Sequence, residues 1–330
     1  MKIAPIAAAL ALTLALPAMA QDKPVLTVYA YDSFVSDWGP GPAIETAYEA
    51  QCACDLVLIG AGDGAALLGR LKLEGALTTA DIVIGLDTSL SANAATTGLF
   101  APHGLDVTTD LPVDFADPIF LPFDWGWFAF VYDAGKLAKA PASFEELIAS
   151  DLSIVIQDPR SSTPGLGLLM WVRDVYGDKA ADAWTRLAPR IVTVTKGWSE
   201  AYGMFLEGEA DMVLSYTTSP AYHLIAEGDA SKKAAIFTEG HYMQIEVMAA
   251  LASSDQPELA RDFLGFMMSE GAQTILPTTN WMYPAKTPTA GLPAGFETLS
   301  IPAKSLLIPA EQADAVRRAA LAEWLDALSK

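Results

Sequence analysis

The chain has 330 residues, with 40 acidic against 20 basic side chains, three histidines, two cysteines and a formal net charge of −20. So acidic a surface repels phosphate backbones and argues against nucleic acid as a partner, while it suits solubility or a cationic ligand. A chain this long exceeds what one hydrophobic core usually serves, so two lobes are expected.

At the N-terminus, Lys2 is followed by no charge until Asp22. An apolar stretch at 3–17 leads to Ala18-Met19-Ala20, so residues 1–20 are expected to be a cleaved signal peptide with Gln21 as the new N-terminus. The stretch is short and alanine-rich for a membrane span, no lipobox cysteine follows it, and no twin arginine precedes it. The expected location is the periplasm. Short β-branched runs at 25–31, 55–59, 81–85, 152–156, 191–195 and 212–215 predict strands apolar on both faces, as parallel strands under helices require. Ile44, Ala47, Tyr48 and Gln51 step at helical spacing, as do Leu67, Leu68 and Leu71. Ser143 with Glu146 predicts a capping box, Ser162 and Thr163 before Pro164 predict another helix start, and Pro309 fits the first turn of a last helix ending near 328. Two extended segments, 120–132 and 241–251, read as crossover strands between lobes. Lobe 1 is then 21–122 with 244–288, and lobe 2 is 123–243 with 289–330.

Two features invite alternatives. Cys52 and Cys54, separated by Ala53, read either as a strained local disulfide or as two free thiols. Gly60, Gly62 and Ala65 match a dinucleotide fingerprint after a predicted strand, with Asp87 at the end of the next one. That acid stands 27 residues beyond Gly60 rather than about twenty, so a tight turn with Asp63 as helix N-cap is preferred.

Seven ordered strings carry a resemblance: LTVYAYDSF (26–34), DWGP (37–40), IQDPRSSTPGLG (156–167), TVTKGWSEAYG (193–203), LSYTTSPAYH (214–223), EGHYMQIEV (239–247) and NWMYPA (280–285). Together they resemble the periplasmic thiamine-binding proteins, within the ferric-ion and polyamine-like group of ABC solute-binding proteins. The resemblance implies an α/β fold of the type II periplasmic binding protein kind. It has two lobes, each a mainly parallel sheet flanked by helices, with the ligand in the cleft. It implies no catalysis and no cofactor, a monomer, and an inner-membrane ABC permease with its ATPase as partner. The ligand-contacting positions it implies are Tyr31, Asp63, Gly64, Ser162, Thr163, Trp198, Tyr216, Thr217, Thr218, Ser219, Tyr222, Trp281 and Tyr283.

Thiamine or a thiamine phosphate fits such a set, because aromatic faces attract a delocalised cation by about 0.5–2 kcal/mol each. Trp198 and Tyr216 fall beside the ends of predicted parallel strands, where open α/β sheets bind ligands; each aromatic could also simply pack. Asp63 would meet the cation or cap its helix, and the hydroxyls at 161–163 would cap a helix or receive a phosphate. Competing expectations are a thiamine-degrading transferase, which needs a cysteine nucleophile, and a binder of polyamines or other organic cations.

Overall fold

The computed structural model describes residues 23–328; the expected signal peptide lies outside the described residues. The strands are β1 (Val25–Ala30), β2 (Asp55–Gly60), β3 (Ile82–Asp87), β4 (Leu121–Asp133), β5 (Ile154–Gln157), β6 (Ile191–Thr195), β7 (Met212–Tyr216), β8 (Lys232–Ala234), β9 (His241–Ala250), β10 (Tyr283–Pro284) and β11 (Ser305–Leu306). The helices are α1 (Asp32–Val35), α2 (Gly41–Cys52), α3 (Gly64–Glu74), α4 (Thr88–Ala95), α5 (Phe144–Ala149), α6 (Thr163–Tyr176), α7 (Ala180–Leu187), α8 (Trp198–Glu207), α9 (Pro220–Tyr222), α10 (Pro257–Met267), α11 (Glu270–Thr279) and α12 (Ala310–Leu328). Every strand expected from the sequence forms within two residues of its expected bounds.

The sheet runs β2-β1-β3-β9-β4-β7-β5-β6. Its two halves are parallel within themselves, β2-β1-β3 on one side and β7-β5-β6 on the other, and the long antiparallel strands β9 and β4 join them. Residues 121–127 of β4 pair with β9, and residues 128–132 of the same strand pair with β7. One strand therefore serves both halves of the sheet. β6 departs from expectation: Val192 and Val194 face solvent, because an edge strand is covered on one face only.

One core packs β1–β3 against α2, α10 and α11 through Phe34, Tyr48, Phe123 and Phe263. The other gathers Phe130, Phe144, Trp171 and Trp184, together with Trp324 of α12. Helix α12 rests on α4 from the first half and on α6 and α7 from the second. Local signals behave as chemistry dictates. Ser143 Oγ accepts from the Glu146 amide, while the Glu146 carboxylate takes the Ala142 amide, one residue before the box's usual partner. No helix among the described residues is long and apolar enough to cross a membrane.

Cys52 and Cys54 form a disulfide, with Ala53 between them in the left-handed region at φ 52°. They sit where α2 hands over to the start of β2. Asp87 is the N-cap of α4, accepting from the Ser89 amide, and Gly62 donates its amide to Asp32 Oδ1. The acid of the apparent dinucleotide pattern is thus spent on capping.

Candidate functional site

The C-terminal ends of β1, β2 and β7 converge on a cleft of about 440 Å3 between the two halves of the sheet. Tyr31, Asp63, Thr163, Trp198, Tyr216, Ser219, Tyr222 and Trp281 all line it. Gly64, Ser162, Thr217, Thr218 and Tyr283 do not reach its wall. Tyr283 stacks on Trp125 at 4.7 Å and meets Phe296 edge-on, as core residues do. Thr217 and Thr218 are fully buried behind Tyr216, with the Thr218 hydroxyl on Met282 Sδ. Gly64 and Ser162 act on their neighbours: the Gly64 amide donates to Thr163 Oγ1 at 3.2 Å, and a Cβ on Gly64 would fall 2.7 Å from that oxygen.

Asp63 is the backbone N-cap of α3, yet its side chain does not cap that helix. It turns to the opposite half, where Oδ2 accepts from Ser162 Oγ at 2.8 Å and from the Trp198 amide at 3.2 Å. The physical reason is competition: the first turns of α6 and α8 present donors to the same carboxylate, and a helix N-terminus favours an anion. Burial pushes the Asp63 carboxyl up, and these two hydrogen bonds pull it back. The hydroxyls at 161–163 are therefore engaged by protein. Ser161 Oγ donates to the Lys196 carbonyl, and Arg160 is folded back onto Asp158.

The aromatic wall is assembled from both halves. Trp198, at the first turn of α8, stacks on Tyr202 at 4.9 Å and donates its indole N–H to Ser215 Oγ, which shares a hydrogen bond with Ser219 Oγ. Tyr202 in turn hydrogen-bonds and stacks with His223. Across the cleft, Trp281 meets Tyr222 edge-to-face at 5.4 Å. Trp281 has φ 57°, a left-handed conformation just past the end of α11 where glycine is usual. Such a conformation costs a bulky residue about 1–2 kcal/mol, so it marks a ring held in place against local preference. Tyr31 is placed by a glycine. Gly85, at φ 102°, leaves room for the Tyr31 ring, which a Cβ there would meet at 2.1 Å.

Sequence reasoning passed over several lining residues, among them Trp38, Tyr202, Glu246, Asn280 and Met282. Trp38 is 54% exposed and faces Trp198 at 6.1 Å; its signal was an unexplained tryptophan in the DWGP string. Glu246 was visible as an acid inside an otherwise apolar strand. It is almost fully buried, and burial with the charge of Asp124 holds its carboxyl well above the usual range. Burial lifts Asp124 to about 7. Desolvation beside these acids also holds the Tyr31 phenol protonated, and it donates to Asn280 Oδ1 at 3.0 Å.

Residues 25–274 match the family described as bacterial extracellular solute-binding proteins. The chain is 53% identical to a thiamine-binding periplasmic protein of Salmonella typhimurium over 97% of its length and 98% of that protein's. It is likewise 53% identical to the protein of that name from Escherichia coli, covering 93% and 94% of the two chains. A solved periplasmic thiamin binding protein superposes with a TM-score of 0.91 at 53% identity, over 93% of this chain and 97% of that one. A ferric binding protein from Campylobacter jejuni, at 18% identity and a TM-score of 0.74 over 92% of this chain and 99% of that one, shares the fold. With its joined half-sheets and the cleft between them, the chain belongs to the bacterial extracellular solute-binding proteins.

Proposed function

We propose that this chain is the exported, periplasmic solute-binding component of an ABC importer. On this reading it carries thiamine, and thiamine phosphates, to an inner-membrane permease and its ATPase as a monomer without enzymatic activity. One observation carries the reading: a single cleft gathers Trp38, Tyr31 and Trp281 from one side and Trp198, Tyr216 and Tyr222 from the other around the buried acid Glu246. Aromatic faces and a buried carboxyl suit a flat delocalised cation, each ring contributing about 0.5–2 kcal/mol. The similarity to thiamine-binding periplasmic proteins at 51–53% identity supports the same ligand.

The cation lies between rings from both sides, so each side gains contacts only when the cleft is shut. Asp63 with Ser162 and Trp198, and Gly64 with Thr163, then act as the latch between lobe 1 (21–122 and 244–288) and lobe 2 (123–243 and 289–330). Bending falls on the crossovers in β4 and β9. Since the hydroxyls at 161–163 are engaged, a phosphate tail points away from them, toward the exposed lining residues Trp38 and Leu206.

Calorimetric titration of the mature protein with thiamine, its monophosphate and its diphosphate tests the proposal. Saturable binding is expected for thiamine; no heat, and no thiamine compound released on denaturation, sinks it. A polyamine binder would instead show putrescine or spermidine displacing bound thiamine at similar concentrations. For a thiamine-degrading transferase, both thiols would have to leave their disulfide at the far end of β2 to reach the cleft.

A further inference from the structure

Glu246 of the long strand β9 lines the cleft, and β4 pairs with β9 beside it. In their register Asp124 stands opposite Glu246, and Gly126 opposite Gln244. Two-residue alternation puts all four on one face, the face from which Glu246 reaches the cleft. Gln244 is 1% exposed, and neither its amide oxygen nor its nitrogen has a hydrogen-bond partner. Asp124, fully buried, receives the Asn280 amide. The strand face that carries Glu246 is therefore polar and enclosed, with hydrogen-bonding capacity left unused on Gln244 behind the cleft.

The described groups that bear most on this pair are neutral or acidic. Tyr31 faces it from the end of β1, Asp87 from the end of β3, Tyr216 from the end of β7 and Asn280 from the end of α11. Among the described residues, no lysine, arginine or histidine stands among the main influences on either carboxyl. Two buried carboxyls in contact cannot both ionise without a counter-charge. The raised values of both groups agree with a proton retained in the empty cleft.

We propose that Glu246, backed by Asp124, is the counter-charge for the ligand cation, and that cation binding expels the proton this pair holds in the empty cleft. The proposal rests on the cationic-ligand reading above and adds to it a residue and a linked proton. On binding, the Glu246 O–H bond breaks, its electron pair stays on the carboxylate, and the proton leaves to water. The ligand's positive charge replaces it, so the net charge of the site is unchanged. Linkage fixes the sign: between the pair's lower value in the bound cleft and its raised value in the empty one, affinity climbs with pH by up to about tenfold per unit. Above the empty-cleft value it levels off.

The test is calorimetry of the full mature chain with thiamine near pH 6.5, in buffers of different ionisation enthalpy. We expect roughly 0.5–1 proton released per thiamine bound, and an affinity at least about threefold higher at pH 7.5 than at pH 6. Glu246→Gln keeps the shape of the side chain and should bring the proton count near zero and flatten the profile. Asp63→Asn, altering another buried acid of the same cleft, should leave the count in place. Comparison among variants cancels any proton exchanged by thiamine itself. Should Glu246→Gln fail to fold, Asp124→Asn takes its place, with a lower pH for the onset of release expected. Wild-type protein that binds thiamine with no proton release, or a count that survives Glu246→Gln, overturns the proposal and leaves the thiamine reading standing. No thiamine binding at any pH overturns both.

Discussion

Trp171 and Trp198 each donate the indole N–H to a protein oxygen and each stack with other rings, yet they belong to different kinds of aromatic cluster. Around Trp171, Phe130, Phe144, Phe237 and His241 close on every side and fill the space between α6 and the sheet. His241 is satisfied there as a neutral ring. Nδ1–H donates to the Phe128 carbonyl and Nε2 accepts from the Phe237 amide, and burial brings its pKa down to about 4. Around Trp198 the rings stop at a cavity, and the charge nearby is acidic rather than balanced. Aromatic number does not separate a core from a site; open ring faces beside uncompensated acids do.

Truncation should break the two clusters differently, and this is the largest expected effect. Trp171→Ala empties a filled core and should cost about 3–5 kcal/mol of stability, lowering the melting temperature whether or not thiamine is present. Trp198→Ala should leave the ligand-free melting temperature much closer to wild type while weakening thiamine affinity at least about tenfold, a loss of some 1.4 kcal/mol or more. Equal melting losses for the two variants would erase the distinction.

The clusters should also respond to pH in opposite senses. His241 has a folded value below its ordinary one, so its contribution is complete above about 6.5 and is lost as pH falls toward 4. Glu246 and Asp124 have folded values above their ordinary ones, that of Asp124 about 7, so their contribution is complete at acid pH and is lost as pH rises above about 4. Glu246→Gln should therefore raise the ligand-free melting temperature at pH 8, show little difference at pH 5, and leave the acid side of the stability profile unmoved. A variant that melts below wild type at pH 8 would falsify the description of Glu246 and Asp124 as a strained acid pair.

A smaller effect is expected at the latch. Asp63→Asn retains an acceptor for Ser162 and the Trp198 amide but removes the charge, and should reduce thiamine affinity by about three- to tenfold, corresponding to 0.7–1.4 kcal/mol. An affinity equal to wild type would assign Asp63 to packing alone.

Much of this architecture was legible because strands buried on both faces announce themselves as continuous β-branched runs, and β4 and β9 as long extended segments, the first rich in aromatic residues. β6 was misjudged in one respect, since an edge strand with the same composition reads identically until its neighbours are known. Within the site, the rings stood in recognisable strings, whereas their orientation did not follow from sequence. Trp281 and Tyr283 are two residues apart in one string, yet one faces the cleft and the other the core. Asp63 had a correct local role written into its position, the cap of α3, and tertiary donors overrode it. The pairing of Glu246 with Asp124 was hidden for a related reason: only the register of β4 against β9 sets them side by side.

The least effect on binding is expected at the far end of β2, where the Cys52–Cys54 bridge closes a loop of three residues. Chain-entropy bookkeeping gives so short a loop about 1.5 kcal/mol, at the low end of what disulfides contribute, and Ala53 in its left-handed conformation takes back part of that. The double variant Cys52→Ser, Cys54→Ser should accordingly melt slightly earlier and bind thiamine within about twofold of wild type. The open aromatic cluster lies at the opposite ends of the strands and takes nothing from the bridge. Incubation with thiamine and a nucleophilic amine should yield no cleaved pyrimidine from either protein. Cleavage by the wild type that disappears in the double serine variant would transfer function from the open cleft to the thiols and establish the transferase reading instead.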